Sequence, residues 1–372
     1  MKSIINLPGT VPKVQIIDEP IPEPGPKEVL IKVVVSGSNP KDWKDPMWAE
    51  LYGGSVGNPI IDEHMAKGKR GINQGDDVAG VVEKVGKHVI EFKEGDRVAA
   101  FHEMGRHGGS YAEYAIAWDH TTFHLPPSTS FEEAATIPLA ALTAAVALFR
   151  NLQLPAPWNP ATKPTPLIIY GASTSVGSFA IQLARNSNIH PIITVAGQGK
   201  DYVKTLLDTS KGDAVFDYCD GADNVVNQIR DYLNSGGYPE PRHGLDPGIG
   251  EPSKKVLTEI VAKDGYIDLV QGVPDWDTAP ATKSTTLVGL VHSDTGEGYG
   301  APGSEAPGSD LGLVTSRWFT KALQAGTFKG HPFEVRAGGL EAVEQALKDL
   351  KDGKNSARKY VFRIAETPGL SA

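Results

Sequence analysis

The sequence predicts an α/β chain in two parts, a partly closed β-barrel followed by a doubly wound parallel sheet. Three observations predict it. Short β-branched runs separated by Gly and Pro turns fill the first third of the chain. Apolar strands and amphipathic helices alternate from residue 167 onward. The turn YGASTSVG, Tyr170 to Gly177, stands between an apolar run and a helix-like one.

A length of 372 residues allows two domains and a substantial core. Hydrophobic residues make up 40% and charged residues 22%, the balance of a soluble globular protein. The formal net charge is -9. Such acidity argues against nucleic acid or an anionic membrane surface as partner. No run approaches the length of a membrane-spanning helix. The opening MKSIINLPGTVPK lacks both the apolar core of a signal peptide and the Arg-rich pattern of a transit peptide, so a cytoplasmic location is expected. The single cysteine, Cys219, excludes an intrachain disulfide and a Cys-rich structural zinc site. It is expected to be a small apolar filler at a strand end.

In chain order, KEVLIKVVVSG (27–37), DDVAGVVEKVG (76–86) and GDRVAAFHE (95–103) read as strands. GGSYAEYAIA (108–117) alternates apolar and polar, like a half-buried strand. SFEEAATIPLAALTAAVALF (130–149) is helical, with Ser130 as N-cap and Glu133 at capping-box spacing. LPAPWNPATKPTP (154–166) is a connector. LIIYGA, IHPIITVAG and AVFDYC then read as strands, each followed by a helix: SVGSFAIQLARNS, KDYVKTLLDTS and NVVNQIRDYL. A long polar loop is expected over NSGGYPEPRHGLDPGIGEPS (234–253), then helix VLTEIVAKDG and strands YIDLVQG and TTLVGLV (285–291). GEGYGAPGSEAPGSDLG (296–312) is expected to be a surface loop. Helices over RWFTKALQAG and GLEAVEQALKDLKDG precede a last strand, RKYVFRI.

The glycine spacing of YGASTSVG alone fits either a phosphate cradle or a turn that merely packs. The surrounding βα units favour the cradle. Gly171 permits a tight turn and Gly177 lets the helix pack close to the sheet. Ser173, Thr174 and Ser175 supply hydroxyl as well as backbone donors, and Val176 lies in the same helix start. The next strand ends in Thr194-Val195-Ala196-Gly197-Gln198-Gly199-Lys200, with no carboxylate at its tip. Lys200 could pair with a 2′-phosphate there, which favours NADPH over NADH; the alternative is a solvated surface lysine.

Several segments together resemble the medium-chain dehydrogenase/reductases: EPGPKEVLIKV, SNPKDWK (38–44), GDDVAGVVEKVG, FKEGDRV (92–98), GGSYAEY, IPLAALTAAVALF, YGASTSVG, DAVFDY and the block from FEVRAGG to YVFRI. Within that family the NPxDWK and GASTSVG motifs are similar to those of the zinc-independent fungal enoyl reductases. These include the trans-acting enzymes that serve polyketide synthases, and quinone oxidoreductases are close relatives. The resemblance implies a GroES-like catalytic domain of residues 1–135 and 330–372, a Rossmann cofactor domain of 136–329, and an active site in the cleft. Zinc-dependent members carry a cysteine near SGSNP and Gly-His-Glu where this chain has Gly75-Asp76-Asp77. Catalytic zinc needs three good ligands, so no metal is expected.

By the same resemblance, Lys44 lies beside the nicotinamide ribose with Pro40 close by, and Thr143 meets the carboxamide. Ala196 and Tyr218 line the adenosine side. Tyr52 falls near the tyrosine that follows NPxD in mitochondrial enoyl-thioester reductases, a candidate proton donor. The implied activity is NADPH-dependent reduction of an activated C=C bond, on a polyketide-type enoyl thioester that is carrier-bound or free. Two alternatives stand beside it: a quinone or enone oxidoreductase, and a non-catalytic cofactor-binding interaction protein. Lys67, Lys69 and Arg70 form either a carrier-protein entrance or a solvated loop. The protein is expected to be a monomer or a homodimer.

Overall fold

The structure is a computed structural model that describes residues 1–52, 59–248, 250–271, 280–294 and 307–370. The chain forms two units. The first holds Met1–Leu139 and the described residues after Val288; the second runs from Ala140 to Val288.

The first unit opens with an antiparallel pair, β1 (Lys2–Leu7) and β2 (Lys13–Asp18). Its spine is β3 (Glu28–Gly37), a ten-residue strand whose Val29, Ile31, Val33 and Val35 all point into the core. Branched side chains at every second position suit a pleated, half-buried surface. β3 pairs antiparallel with β4 (Asp77–Val85), β6 (Tyr114–Trp118) and β15 (Lys359–Arg363). β5 (Arg97–Phe101) joins β4, β7 (Thr122–His124) joins β5, and β14 (Phe333–Val335) lies parallel to β15. Register shifts at Leu30/Ile31 and Val33/Val35 let β3 bend between its partners. The core beneath holds Ile4, Val78, Val98, Tyr111 and Phe362.

Between β3 and β4 the chain forms α1 (Lys41–Leu51) and α2 (Pro59–Gly68). Ser130 caps α3 (Phe131–Ala134) by accepting the Glu133 N–H, as its position predicts. Glu133 does not complete the box: its carboxylate accepts the N–H of Gly330. Helix α10 (Val343–Lys351) buries Val343, Ala346 and Leu347 against the first core.

α4 (Pro138–Ala145) runs into a π-helical turn, Val146–Asn151. The stretch Phe131–Asn151 is long and apolar enough to cross a membrane by length and composition, contrary to the expectation from sequence, but 83% of its apolar 18-residue window is buried inside the protein. Six parallel strands then form the second unit's sheet: β8 (Leu167–Tyr170), β9 (Ile192–Ala196), β10 (Ala214–Asp217), β11 (His243–Asp246), β12 (Tyr266–Leu269) and β13 (Thr282–Thr285). Their order is β10-β9-β8-β11-β12-β13, so the winding reverses between β8 and β11, the usual place for a ligand. The crossovers are α5 (Ser175–Asn186), α6 (Lys200–Leu206), α7 (Ala222–Gly236) and α8 (Glu251–Ile260).

Three elements differ from expectation. β11 lies within the predicted polar loop; His-Gly-Leu-Asp has weak strand propensity, and pairing with β8 and β12 on both sides supplies what propensity does not. β13 is the polar edge Thr-Lys-Ser-Thr, while Val288–His292 is a 3₁₀ turn rather than part of a strand. Residues 296–306 of the predicted loop lie outside the described residues, but Gly308–Gly312 open α9 (Gly308–Ala325). A Cβ at Gly308 would sit 2.1 Å from the Leu290 carbonyl, so glycine serves close packing there rather than loop freedom. α9 belongs to the first unit, although the resemblance puts residues 136–329 in the cofactor domain. Its Phe319 ring lies 5.4 Å from that of Phe123, and Arg317 donates to the Thr122 carbonyl.

Asp268 on β12 is fully buried and accepts from Asn151 (2.8 Å), Ser284 (2.7 Å) and the Thr286 hydroxyl. Burial pushes its pKa up to about 6, and the three donors pull the other way. A raised acid pKa contributes stability that is fully present below about pH 4 and is lost as pH rises through 6. Asp268→Asn should therefore be more stable than the parent at pH 7.5, by up to roughly 3 kcal/mol at about 1.4 kcal/mol per pK unit. The gap should close near pH 4. Thermal unfolding of both proteins across that range checks it, and a gap that ignores pH would contradict the assignment.

Candidate active site

The chain leaves β8 through Gly171, at φ +80°, a conformation that favours glycine. A Cβ there would also meet Gly248 backbone atoms at 2.8 Å. Thr174 then caps α5: its hydroxyl donates to the Gly171 carbonyl (2.8 Å) and accepts the Gly177 N–H (3.0 Å). The Thr174 hydroxyl is thus committed inside the turn, not free for a ligand as expected from sequence. A Cβ on Gly177 would lie 2.5 Å from the Gly171 carbonyl, so only glycine lets the helix start this close to the strand. The N–H groups of Ser175 and Val176 precede the first intrahelical bond and carry the helix's positive end. With half-buried Ser173, this start fits the pyrophosphate of a dinucleotide.

Ala196 ends β9 fully buried. Asp217 ends β10 and stands in register with Ala196. Its Oδ2 lies 2.5 Å from the Lys200 ammonium, and its Oδ1 accepts the Cys219 N–H at 3.0 Å. The Lys200 hydrogen bond, aided by that N–H, holds the Asp217 carboxyl down at about 2, and the same bond raises Lys200. The sheet edge therefore carries a carboxylate after all, brought by the neighbouring strand. Tyr218 is 44% exposed. Its ring covers Gly197, where a Cβ would fall 2.3 Å from the ring, and stacks on Tyr170 with centroids 6.4 Å apart. Cys219 is exposed rather than a core filler, because the strand ends two residues before it.

In the first unit, SNPKDWK carries the chain from β3 into α1. Asp42 is buried and accepts the Asn39 N–H (2.8 Å) and the Tyr111 hydroxyl (2.6 Å). Lys41 donates to the Gln74 carbonyl (2.6 Å) and side chain (3.0 Å), and pairs with Asp76 and Asp42. Burial works against the Lys41 charge, but Asp76, Asp42 and Asp45 outweigh it and hold Lys41 above its ordinary value. Burial pushes Asp42 up to about 7, against Lys41 and Tyr111. Asp77 forms a second cluster. Its Oδ2 accepts Asn39 Nδ2 (2.7 Å) and the Lys359 ammonium, and its Oδ1 accepts the Leu139 N–H (2.7 Å). Lys359 also reaches Asn39 Oδ1 (3.1 Å) and the Thr136 carbonyl (3.3 Å). Each aspartate of Gly75-Asp76-Asp77 thus faces its own lysine. Among the described residues no three His, Cys, Asp or Glu side chains converge as a metal site. Neither Lys41 nor Lys359 was singled out as a site residue by the sequence.

Lys44 lies in the same first turn of α1, half-buried, with its ammonium 5.7 Å from the Trp43 ring centre. Burial lowers its pKa and Asp45 resists. Exposed Pro40 precedes the helix, and its carbonyl accepts the Lys44 N–H at 3.2 Å. Thr143 is buried in α4, within the second unit. Tyr52 is not brought to Lys44: it is 59% exposed at the far end of α1, about 12 Å of helical rise away. Of the basic cluster, Lys67 is paired with Glu63 at 3.0 Å.

Removing one partner of a buried pair strands the other charge, at a cost of about 3–5 kcal/mol. Lys359→Met should destabilise the protein by that order, and adding Asp77→Asn should recover much of it. Urea unfolding reads both, and a Lys359→Met variant as stable as the parent would dismiss the pair.

Residues 25–127 match the alcohol dehydrogenase GroES-like domain. Along 88% of its length the chain is 41% identical to trans-enoyl reductase fsr4 of Gibberella fujikuroi, covering 88% of that protein. It is 30% identical to trans-enoyl reductase resD of Aspergillus sclerotiorum, over 98% of this chain and 100% of that one. Among solved structures, the CurK enoyl reductase superposes with TM-score 0.71 at 18% identity, covering 97% of this chain and 98% of that one. The 2-octenoyl-CoA carboxylase reductase CinF, in complex with NADP and 2-octenoyl-CoA, gives 0.69 at 17% identity, covering 99% and 89%. These two likenesses concern the fold. The relatives in sequence go further: the chain is an oxidoreductase and belongs to the trans-enoyl reductases of the medium-chain dehydrogenase/reductase family.

Proposed function

We propose that the chain is an NADPH-dependent, zinc-independent reductase of an activated C=C bond, acting on a polyketide-type enoyl thioester presented by a carrier protein of a polyketide synthase. The observation that carries this is the 41% identity to a trans-enoyl reductase along 88% of the chain. The glycine-framed start of α5 supports a dinucleotide. The commitment of Asp76 and Asp77 to lysines supports chemistry without zinc.

The bound cofactor supplies a hydride to the β-carbon of the substrate, which leaves charge on the thioester oxygen. This chain's residues bind and orient. The Ser175 and Val176 N–H groups hold the pyrophosphate, with Ser173 beside them and Gly171, Thr174 and Gly177 shaping the turn. Ala196, Lys200 and Tyr218 take the adenosine end, and Thr143 the carboxamide. Lys44, with Pro40 beside it, holds the nicotinamide ribose and offers a cation near the developing charge. Asp42, Tyr111 and Lys41 fix the start of the helix that carries Lys44. The proton at the α-carbon comes from solvent or the cofactor ribose, since Tyr52, 59% exposed at the far end of α1, is not brought to Lys44.

Lys44→Ala should lower kcat about a hundredfold, the usual loss for a group that stabilises developing charge. Unchanged steady-state kinetics would remove Lys44 from the site. In the parent enzyme, NADPH oxidation should proceed with an enoyl thioester and stay near background with a simple quinone. The reverse pattern would replace this function with quinone reduction.

A further inference from the structure

Lys200 and Asp217 decide more than whether a dinucleotide binds. Both lie where the parallel sheet presents its strand ends: Asp217 closes β10 beside Ala196, and Lys200 follows β9 by four residues. The two partners are unequal. Asp217 is 20% exposed and pinned through its other oxygen to the Cys219 N–H, whereas the Lys200 side chain is 44% exposed. The carboxylate is the fixed member and the lysine the one drawn to it.

The surroundings offer little further positive charge. Asp201 takes Lys204 at 2.8 Å, and Asp220 takes the Gln228 amide at 3.1 Å. Two lysines therefore face three aspartates around this edge. A phosphate dianion arriving at Lys200 finds a cation already neutralised and a like charge beside it. An unphosphorylated ribose meets no such penalty, and hydroxyls can donate to a carboxylate.

We propose that Asp217 is a specificity-determining residue for the cofactor. By holding Lys200 in a closed ion pair it restrains attraction for a 2′-phosphate, so the preference for NADPH over NADH is smaller than a free lysine would give. This role rests on the cofactor assignment above. Lys200 keeps two further N–H donors for the phosphate, so the preference is reduced and not reversed.

The test is binding rather than turnover. Dissociation constants of NADPH, NADH, 2′,5′-ADP and 5′-AMP are measured on the full chain by fluorescence quenching and competition. Asp217→Asn keeps an oxygen for the Cys219 N–H and loses only the charge. It should tighten NADPH and 2′,5′-ADP about tenfold, the effect of removing one like charge near a partly solvated phosphate. NADH and 5′-AMP should move less than about twofold, and the gain should shrink in high salt. Asp217→Ser, which also keeps an acceptor, should move the ratio the same way. In a Lys200→Ala background Asp217→Asn should have a much smaller effect on the ratio. If the parent binds the dinucleotides but neither Asp217 variant changes the NADPH:NADH ratio, this role of Asp217 is overturned and the cofactor assignment survives. If the parent binds neither dinucleotide, the cofactor assignment itself fails, and this role with it.

Discussion

The buried pair of Asp77 and Lys359 is the interaction on which the first unit depends. Asp77 opens β4 and Lys359 opens β15, while Asn39, which bonds to both, follows β3. The same carboxylate takes the Leu139 N–H at the start of α4, and the same ammonium reaches Thr136 beyond α3. Four segments far apart in sequence, around residues 39, 77, 136–139 and 359, are thereby tied at one point. Charge this deep is tolerated only because every polar group has a partner. In return the pair dictates where SNPKDWK must begin its helix.

The second lysine–aspartate group stands directly beside the first. Asp76 and Asp77 are sequence neighbours at the entry to β4, and one turns to Lys41 and the other to Lys359. Asp42, accepting from Tyr111 and Asn39, then locks the first turn of α1 from inside. Lys44 is left as the lysine of that turn that reaches the half-exposed surface beside Trp43. The arrangement separates roles by depth. Lys41 and Lys359 are the deep cations, and Lys44 is the shallower one.

Much of this was legible in the sequence where the signal is local. Ser130 caps its helix because capping chemistry needs only residues three apart. The need for Gly171 and Gly177 could be read from the strand–turn–helix order, and the collisions a Cβ would cause give the reason. What depends on a neighbouring strand was not legible. The β9 tip holds no acid, yet β10 lies parallel beside it and delivers Asp217 to the same edge. DAVFDY carried that signal, since the third strand of such a sheet ends level with the second. HGLD is a strand because β8 and β12 flank it, not because of its composition. Nothing local marks Lys41 and Lys359, because Asp76 and Asp77 reach them from 35 and 282 positions away in sequence. Tyr52 stands about two turns of helix beyond Lys44, a separation that sequence nearness to NPxD does not reveal.

The span between Asp77 and Lys359 also has a consequence for how the protein is made. A ribosome releases Asp77 long before Lys359, and the whole of Ala140–Val288 emerges in between. The parallel sheet and its helices can close as soon as they are clear of the exit tunnel, since all six strands are contiguous in the chain. The first sheet cannot, because β14 and β15 follow that sheet in the chain and the acid at the head of β4 waits for its counter-ion. Chain order thus lets the parallel sheet close before the sheet whose sequence it interrupts.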